Sequence, residues 1–262
     1  MIASLRFFRI LFRILKILWT VVVAGLTYFF AVRLTGRTGS IVLRAAWLQQ
    51  QARRFLWALG IEPNYEGQPP RQGVMVSNHV SYLDIIVHAG RMPLVFISKS
   101  EVADWPVFGP LTRWAGTLFI RRDLRSDVLR VAAEMPLVVG SGTVLTFFPE
   151  GTSSSGEGVL PFRTPLLAPI VENGWMVTPA FVRYALEPGD GAVEEEVAYY
   201  KPETVFGPHL LNLLGKRRVR ATVTYGQPQV PGSNRKTLAN RLRDEVCELG
   251  GLPKTTLATE QD

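Results

Sequence analysis

The 262-residue chain predicts an α/β fold, a central and mostly parallel sheet flanked by helices, with a membrane-attached helical hairpin at the N-terminus. Three observations predict it. From residue 74 onward, short apolar runs rich in β-branched and aromatic residues alternate with helical patterns, as strands joined by helices do. Before residue 34, a cationic helical pattern runs directly into an uncharged apolar stretch. The composition is 47% hydrophobic with a net charge of +7, which suits work against an anionic surface. This length accommodates one main domain plus an appendage. The boundaries fall at 1–60 for the anchoring hairpin, 61–250 for the main domain and 251–262 for a C-terminal tail.

In "SLRFFRILFRILKILW", Arg6, Arg9, Arg13 and Lys16 recur at spacings of three and four, so they share one side of a helix. Leu5, Phe8, Phe12 and Leu15 lie largely elsewhere, and the cations are expected to face an anionic leaflet. The helix continues into "ILWTVVVAGLTYFFAV", an uncharged run that reaches roughly 24 Å, short of a hydrocarbon core of about 30 Å. Spanning then needs flanking residues, or snorkelling by Lys16 and Arg33. Cations on both sides of the run give no positive-inside asymmetry, so spanning the bilayer and lying in its interface both stay open. No small-x-small pattern follows "YFFAV", which argues against a cleaved signal peptide. A turn at "TGRTGS" leads to a second amphipathic helix, "IVLRAAWLQQQARRFLWALG", with Gly60 as its C-cap and Trp47 and Trp57 suited to the headgroup level.

"EPNYEGQPPRQG" reads as a loop. The strands are "VMVS", "LVFIS", "TLFIR", "TVLTFF", "MVTPAFVRY" and "RVRATVTYG", each ending at Gly, Pro or a polar cluster. The helices between and after them are expected at 81–90, 125–140 with a break at Pro136, 165–174, 208–215 and 234–250. "GTSSSGEG" and "LEPGDGAVEEE" read as loops. Cys247 is the one cysteine, so an intramolecular disulfide and a thiolate metal cage are excluded, and it serves as a small hydrophobe.

The chemistry-bearing residues fall in three short stretches. In "SNHVSYLD", His79 and Asp84 are five residues apart, which in one regular helix would turn them about 140° away from each other. A loop must intervene. Ser81-x-x-Asp84 has the form of a capping box starting a helix at Ser81, which leaves His79 in the preceding turn. Asp84 can then fold back to one imidazole nitrogen and leave the other outward, as a general base requires; the bland alternative is a helix cap beside a polar loop residue. In "FPEGTSSSGEG", Glu150 ends a buried strand and is followed by Gly151, Thr152 and serines, whose N–H and hydroxyl groups can close around a polar ligand, or merely turn the chain. In "GTLFIRRD", successive strand residues face opposite sides, so at most one of Arg121 and Arg122 points into a given cleft. An arginine there suits a phosphate or carboxylate, although a solvated surface pair is the commoner case.

Together these stretches, with "VTPAFV" as a fourth, resemble the glycerolipid acyltransferases of the 1-acylglycerol-3-phosphate acyltransferase (PlsC-like) family over about residues 74–184. The N-terminal helix pair is similar to the membrane-docking motif of bacterial members. The resemblance implies that His79 and Asp84 are catalytic, the histidine taking the proton of an acceptor hydroxyl as it attacks an acyl thioester. It implies that Arg122, Glu150, Gly151 and Thr152 bind the acceptor. The acceptor is expected to be 1-acyl-sn-glycerol-3-phosphate, giving phosphatidic acid; other lysolipids, such as lyso-ornithine lipid, are the alternative. The donor is acyl-CoA or acyl carrier protein, with no cofactor and no metal, and the place is the membrane, at the cytoplasmic face of the bacterial inner membrane. One departure stands out: the family commonly has Arg where Ser153 stands, which removes a phosphate-binding cation that Lys99 or Arg163 could replace. Arg121 is a further candidate.

Competing readings carry less. A serine lipase would need a Gly-x-Ser-x-Gly elbow, which the sequence lacks. The basic residues interleave with an apolar run rather than forming a soluble face, which argues against nucleic acid as a partner. A non-catalytic lipid-binding protein would not need the intact His79 and Asp84 pair.

Overall fold

A computed structural model describes residues 2–254, so much of the 251–262 tail lies outside the described residues. Helix α1 (Ile2–Tyr28) ends in a π-helical turn over Phe29–Arg33, and α2 (Ile41–Leu59) returns along it. Ser40 caps α2 by accepting the Leu43 N–H. Gly60 closes α2 at φ 72°, and a Cβ there would also run into the Arg13 guanidinium. The position therefore demands glycine twice over.

The remaining elements are β1 (Ile61–Glu66), β2 (Val74–Ser77), α3 (Leu83–Arg91), β3 (Leu94–Lys99), α4 (Phe108–Ala115), β4 (Leu118–Ile120), α5 (Arg125–Gly140), β5 (Val144–Phe147), α6 (Ala168–Asn173), β6 (Val177–Leu186), α7 (Val193–Glu196), α8 (Phe206–Gly215), β7 (Val219–Tyr225) and α9 (Arg235–Leu249). The strands form one sheet in the order β1-β7-β6-β2-β5-β3-β4, parallel throughout except where β6 meets β7. Alternate residues feed opposite faces. Met75 and Phe96 pack with α2, α3 and α8 on one side, whereas Val74, Val76, Val95 and Ile97 pack with α5, α6 and α9 on the other. β2 and β5 are buried along their whole length, as strands covered on both faces should be.

Several expectations change. The segment after Gly60 begins as a strand rather than a loop. β1 pairs only with β7 at the sheet edge, where Pro63 withholds no ladder bond a second neighbour would need. α5 continues past Pro136 to Gly140 without breaking. Helix α4 lies in a stretch whose sequence signals no element, and α7 makes one turn of an expected loop. Trp47 does not reach a headgroup level: it is buried among α1, α2 and α4, stacked edge-on to Tyr28 and Trp114, while Trp57 is exposed.

The largest revision concerns the cations of α1. Arg13 is buried and donates to the carbonyls of Leu214 (3.0 Å) and Lys216 (2.7 Å), and Arg9 donates to that of Gly215 at 2.7 Å. Arg6 reaches the Asn212 side chain at 2.8 Å. These carbonyls end α8, where four acceptors have no partner inside the helix and the dipole favours positive charge. The arginines fasten α1 to the main domain. What α1 exposes instead is apolar, including Phe8, Phe12, Leu15 and Trp19, and Ser4–Arg33 is long and apolar enough to cross a membrane by length and composition.

Candidate active site

The parallel block β2-β5-β3-β4 brings the carboxyl ends of four strands to one rim of the sheet, the usual place for a site in an open α/β fold. His79 follows β2, Glu150 and Gly151 follow β5, Lys99 ends β3, and Arg122 follows β4. Residues separated by up to about seventy positions in the chain thus meet at one rim.

Past Ser77 the ladder from β2 to β6 is continued by a side chain. The Asn78 amide donates to the Val182 carbonyl (2.9 Å) and accepts the Val182 N–H (2.7 Å), so the loop carrying His79 is pinned to β6. His79 Nδ1 lies 2.7 Å from Asp84 Oδ2, and the same oxygen accepts the N–H groups of Val80 (2.7 Å) and Ser81 (3.0 Å). Asp84 Oδ1 accepts the Tyr184 hydroxyl at 2.6 Å. The carboxylate is fully buried with no lysine or arginine partner among the described residues, so hydrogen bonds sustain its charge. The expected capping box is half formed: Asp84 accepts the Ser81 N–H, but the Ser81 hydroxyl has no partner and α3 begins at Leu83. The Asp84 carboxylate is spent on the histidine loop as much as on the helix.

The His79 ring lies flat on Phe148, centroids 4.1 Å apart and planes 6° from parallel. Stacking fixes the ring plane while the Asp84 bond fixes its rotation. Next to Phe148, ring centroids 6.0 Å apart, is His88, fully buried with no hydrogen-bond partner on either ring nitrogen; burial pushes its pKa down to about 4, so it is neutral.

Glu150 occupies a different place from the one expected of an acceptor ligand. It is buried, its two oxygens accept the N–H groups of His79 (2.8 Å) and Leu160 (3.0 Å), and it does not line the cleft beside His79. Burial pushes its pKa up to about 7, against the two N–H bonds, which pull it down. Glu150 is a fastener between loops. The Ser154 N–H adds a second tie, donating to the His79 carbonyl at 2.8 Å.

A cleft of about 320 Å³ is lined by His79, Lys99, Arg122, Gly151, Thr152 and Ser153 together. Arg121 does not line it; both arginines follow the end of β4 at Ile120, and the turn there aims only Arg122 into the cleft. The Arg122 guanidinium donates to the Gly151 carbonyl, and Arg163 packs over the Cα of Gly151 from the next small cavity, where a Cβ would meet its side chain. Gly151, at φ 78°, is therefore clasped by two arginines. Burial and then the Arg163 charge lower the pKa of Arg122. Ser153 donates its hydroxyl to the Tyr199 carbonyl.

Beside the cleft is an apolar cavity of about 110 Å³ formed by α2, α3 and α4 with Ile17 of α1 and Phe206 and Leu210 of α8. Tyr82, Ile85, Phe96, Val102 and Trp105 line both spaces, so a polar rim and an apolar chamber share one wall. The sequence reading missed Asn78, Phe148, Tyr184 and the chamber. Asn78 and Phe148 stand inside the quoted motifs and were open to notice; Tyr184 carries no local signal.

Residues 63–183 match the family model described as Acyltransferase. A lyso-ornithine lipid O-acyltransferase of Rhodobacter capsulatus is 35% identical over 235 residues, covering 84% of this chain and 82% of that one. A 1-acyl-sn-glycerol-3-phosphate acyltransferase of Neisseria gonorrhoeae is 36% identical over 132 residues, covering 50% of this chain and 52% of its own. The crystal structure of the 1-acyl-sn-glycerophosphate acyltransferase PlsC of Thermotoga maritima superposes with a TM-score of 0.65 over 95% of this chain and 98% of that one; at 19% identity this is a likeness of fold. The 35% identity to the Rhodobacter capsulatus enzyme over most of both chains establishes kinship, and the chain belongs to the PlsC-like family of acyltransferase enzymes.

Proposed function

We propose that the protein moves a fatty acyl group from an acyl thioester to the free hydroxyl of a lysolipid, with the lyso form of ornithine lipid as acceptor. The observation that supports the transfer is the His79–Asp84 pair on a cleft that shares five wall residues with an apolar chamber. The acceptor hydroxyl approaches His79 Nε2, the ring nitrogen opposite the Asp84 bond. The imidazole takes the hydroxyl proton as the oxygen attacks the thioester carbonyl, and Asp84 stabilises the imidazolium that forms. Collapse of the tetrahedral intermediate expels the thiolate, which takes the proton back from His79. No acyl-enzyme forms, and the acyl chain occupies the apolar chamber.

The acceptor reading rests on Ser153. Where the family commonly carries Arg, this chain has a hydroxyl bonded to the Tyr199 carbonyl, so the cleft has one cation fewer for a phosphate monoester. A head group with a single carboxylate asks for less charge, and Arg122 matches a carboxylate bidentately. Relatives from Rhodobacter capsulatus and Pseudomonas aeruginosa, each 35% identical and aligned over 82% and 74% of their length, bear that name. 1-Acyl-sn-glycerol-3-phosphate is the second reading, favoured by Lys99 on the cleft and Arg163 behind it. The donor is acyl-CoA or acyl carrier protein, and the exposed apolar side of α1 lies in the bilayer, at the cytoplasmic face of the bacterial inner membrane where such thioesters are found.

The test is an acylation assay by mass spectrometry on purified protein in mixed micelles, with lyso-ornithine lipid, lysophosphatidate and lysophosphatidylcholine offered with both donors. The expected result is diacyl product from lyso-ornithine lipid, reduced about 10² to 10⁴ fold in His79→Ala. Product from lysophosphatidate alone would establish the second reading, and turnover that survives His79→Ala would remove the mechanism.

A further inference from the structure

We infer that Tyr184 is a positioning residue of the reaction, acting through Asp84. The inference rests on the proposed role of the His79–Asp84 pair and adds to it a residue about a hundred positions away. A buried carboxylate bonded to one histidine has two ways to fail: it can rotate about its Cβ–Cγ bond, or it can shed its charge. The Tyr184 hydroxyl opposes both. It donates to Oδ1 at 2.6 Å, the oxygen that His79 does not use, while Oδ2 takes His79 Nδ1 and the two N–H groups of Val80 and Ser81. With one oxygen held from β6 and the other from the loop, the carboxylate plane is fixed. Burial first, and then the Asp84 charge, hold the Tyr184 phenol well above the usual range, so it keeps the proton it donates.

The frame behind Tyr184 is equally specific. Val182 and Tyr184 point to the same side of β6, two residues apart. The two Asn78 bonds at Val182 therefore set the height at which Tyr184 meets Asp84. The residue before the histidine registers the strand that supplies the tyrosine. The other ionisable groups that act on the carboxylate are His79, His88 and Glu150, those that act on the Tyr184 phenol besides Asp84 are the phenols of Tyr82 and Tyr65, and none of them is a permanent cation. The hydroxyl of Tyr184 is thus the one side-chain donor to Oδ1 among the described residues.

Tyr184→Phe in the full-length enzyme removes the hydroxyl and keeps the ring. The expected result is a loss in kcat of about tenfold, the size of one hydrogen bond to a charged group, with acceptor and donor KM within twofold. The acid limb of the kcat/KM profile should move to higher pH, because a carboxylate that has lost a donor holds the imidazolium proton more tightly. In an Asp84→Asn background the same substitution should cause no further loss in kcat, as expected of a residue acting through Asp84. Full kcat with an unmoved pH profile would overturn the inference. So would a fall in kcat accompanied by a lower melting temperature, an unmoved profile and additivity with Asp84→Asn, which marks a packing role. If His79→Ala itself keeps its turnover, the catalytic reading of the pair fails first, and that outcome is read from a separate variant.

Discussion

His79 and Glu150 leave the same strand rim in opposite directions, the histidine toward the cleft and the glutamate inward. The histidine is partly open to the cleft, with its ring held by Asp84 and Phe148, while the buried glutamate accepts the backbone N–H of the histidine itself. Glu150 carries a consequence for pH. Because its pKa is raised from 4.5 to about 7, the folded protein retains a proton that the unfolded chain has released between those values. Its contribution is therefore full below about 4.5 and is lost as the pH rises through about 7. Unfolding free energy measured between pH 4.5 and 7.5 should fall by on the order of 3 kcal/mol from this group, and the slope should flatten in Glu150→Gln. An unchanged slope in the variant would assign the pH dependence to other groups. The family resemblance implied that Glu150 touches the acceptor, but a motif states which side chain follows a strand and not which way it turns. Burial and two waiting N–H groups turned it inward.

At the scale of elements, the contact of α1 with α8 carries the clearest prediction. Arg13→Ala leaves the Leu214 and Lys216 carbonyls buried without their donor, which costs about 1 to 3 kcal/mol per unsatisfied group. The melting temperature in detergent should drop, whereas Arg37→Ala, an exposed residue of the turn between the hairpin helices, should leave it unchanged. Equal melting temperatures for the two variants would mean that α1 is held by its apolar contacts alone. The spacing of Arg6, Arg9 and Arg13 made the cationic side of α1 legible, but not its partner. A helix C-terminus and an anionic leaflet both attract arginine, and periodicity does not distinguish them. The strands were legible almost throughout, because a strand buried on both faces is a short apolar run bounded by turns. β1 escaped because an exposed edge strand containing Pro63 has no apolar pattern to display.

For the whole molecule, turning Arg9 and Arg13 onto the carbonyls that end α8 leaves a mostly apolar outer face on α1, and the proposed membrane attachment then rests on apolar surface more than on charge. Phe8, Phe12 and Leu15 are each more than half exposed. Replacing all three by Ser should weaken binding to vesicles of neutral lipid as much as to anionic ones, by several kcal/mol in total at about 1.5 to 3 kcal/mol for each fully buried side chain. Turnover of a micellar acceptor should change less, since these residues lie away from the cleft. A loss confined to anionic vesicles would return the membrane role to the cations.

The alternation of strand and helix, the hairpin, and the His79, Arg122 and Gly151 stretches could all be read along the chain, because each is written in residues within a few positions of one another. Spacing could offer Asp84 to His79, since five residues and a turn suffice. The Asp84–Tyr184 bond, the Asn78 clamp on Val182, the inward turn of Glu150 and the seat of Arg13 on α8 could not be read that way. Each joins residues some seventy to two hundred positions apart, and which of them meet is settled by the order and register of the strands and by the competition of buried polar groups for partners. No local pattern carries that information, since it exists only once the sheet has brought β2, β5 and β6 side by side.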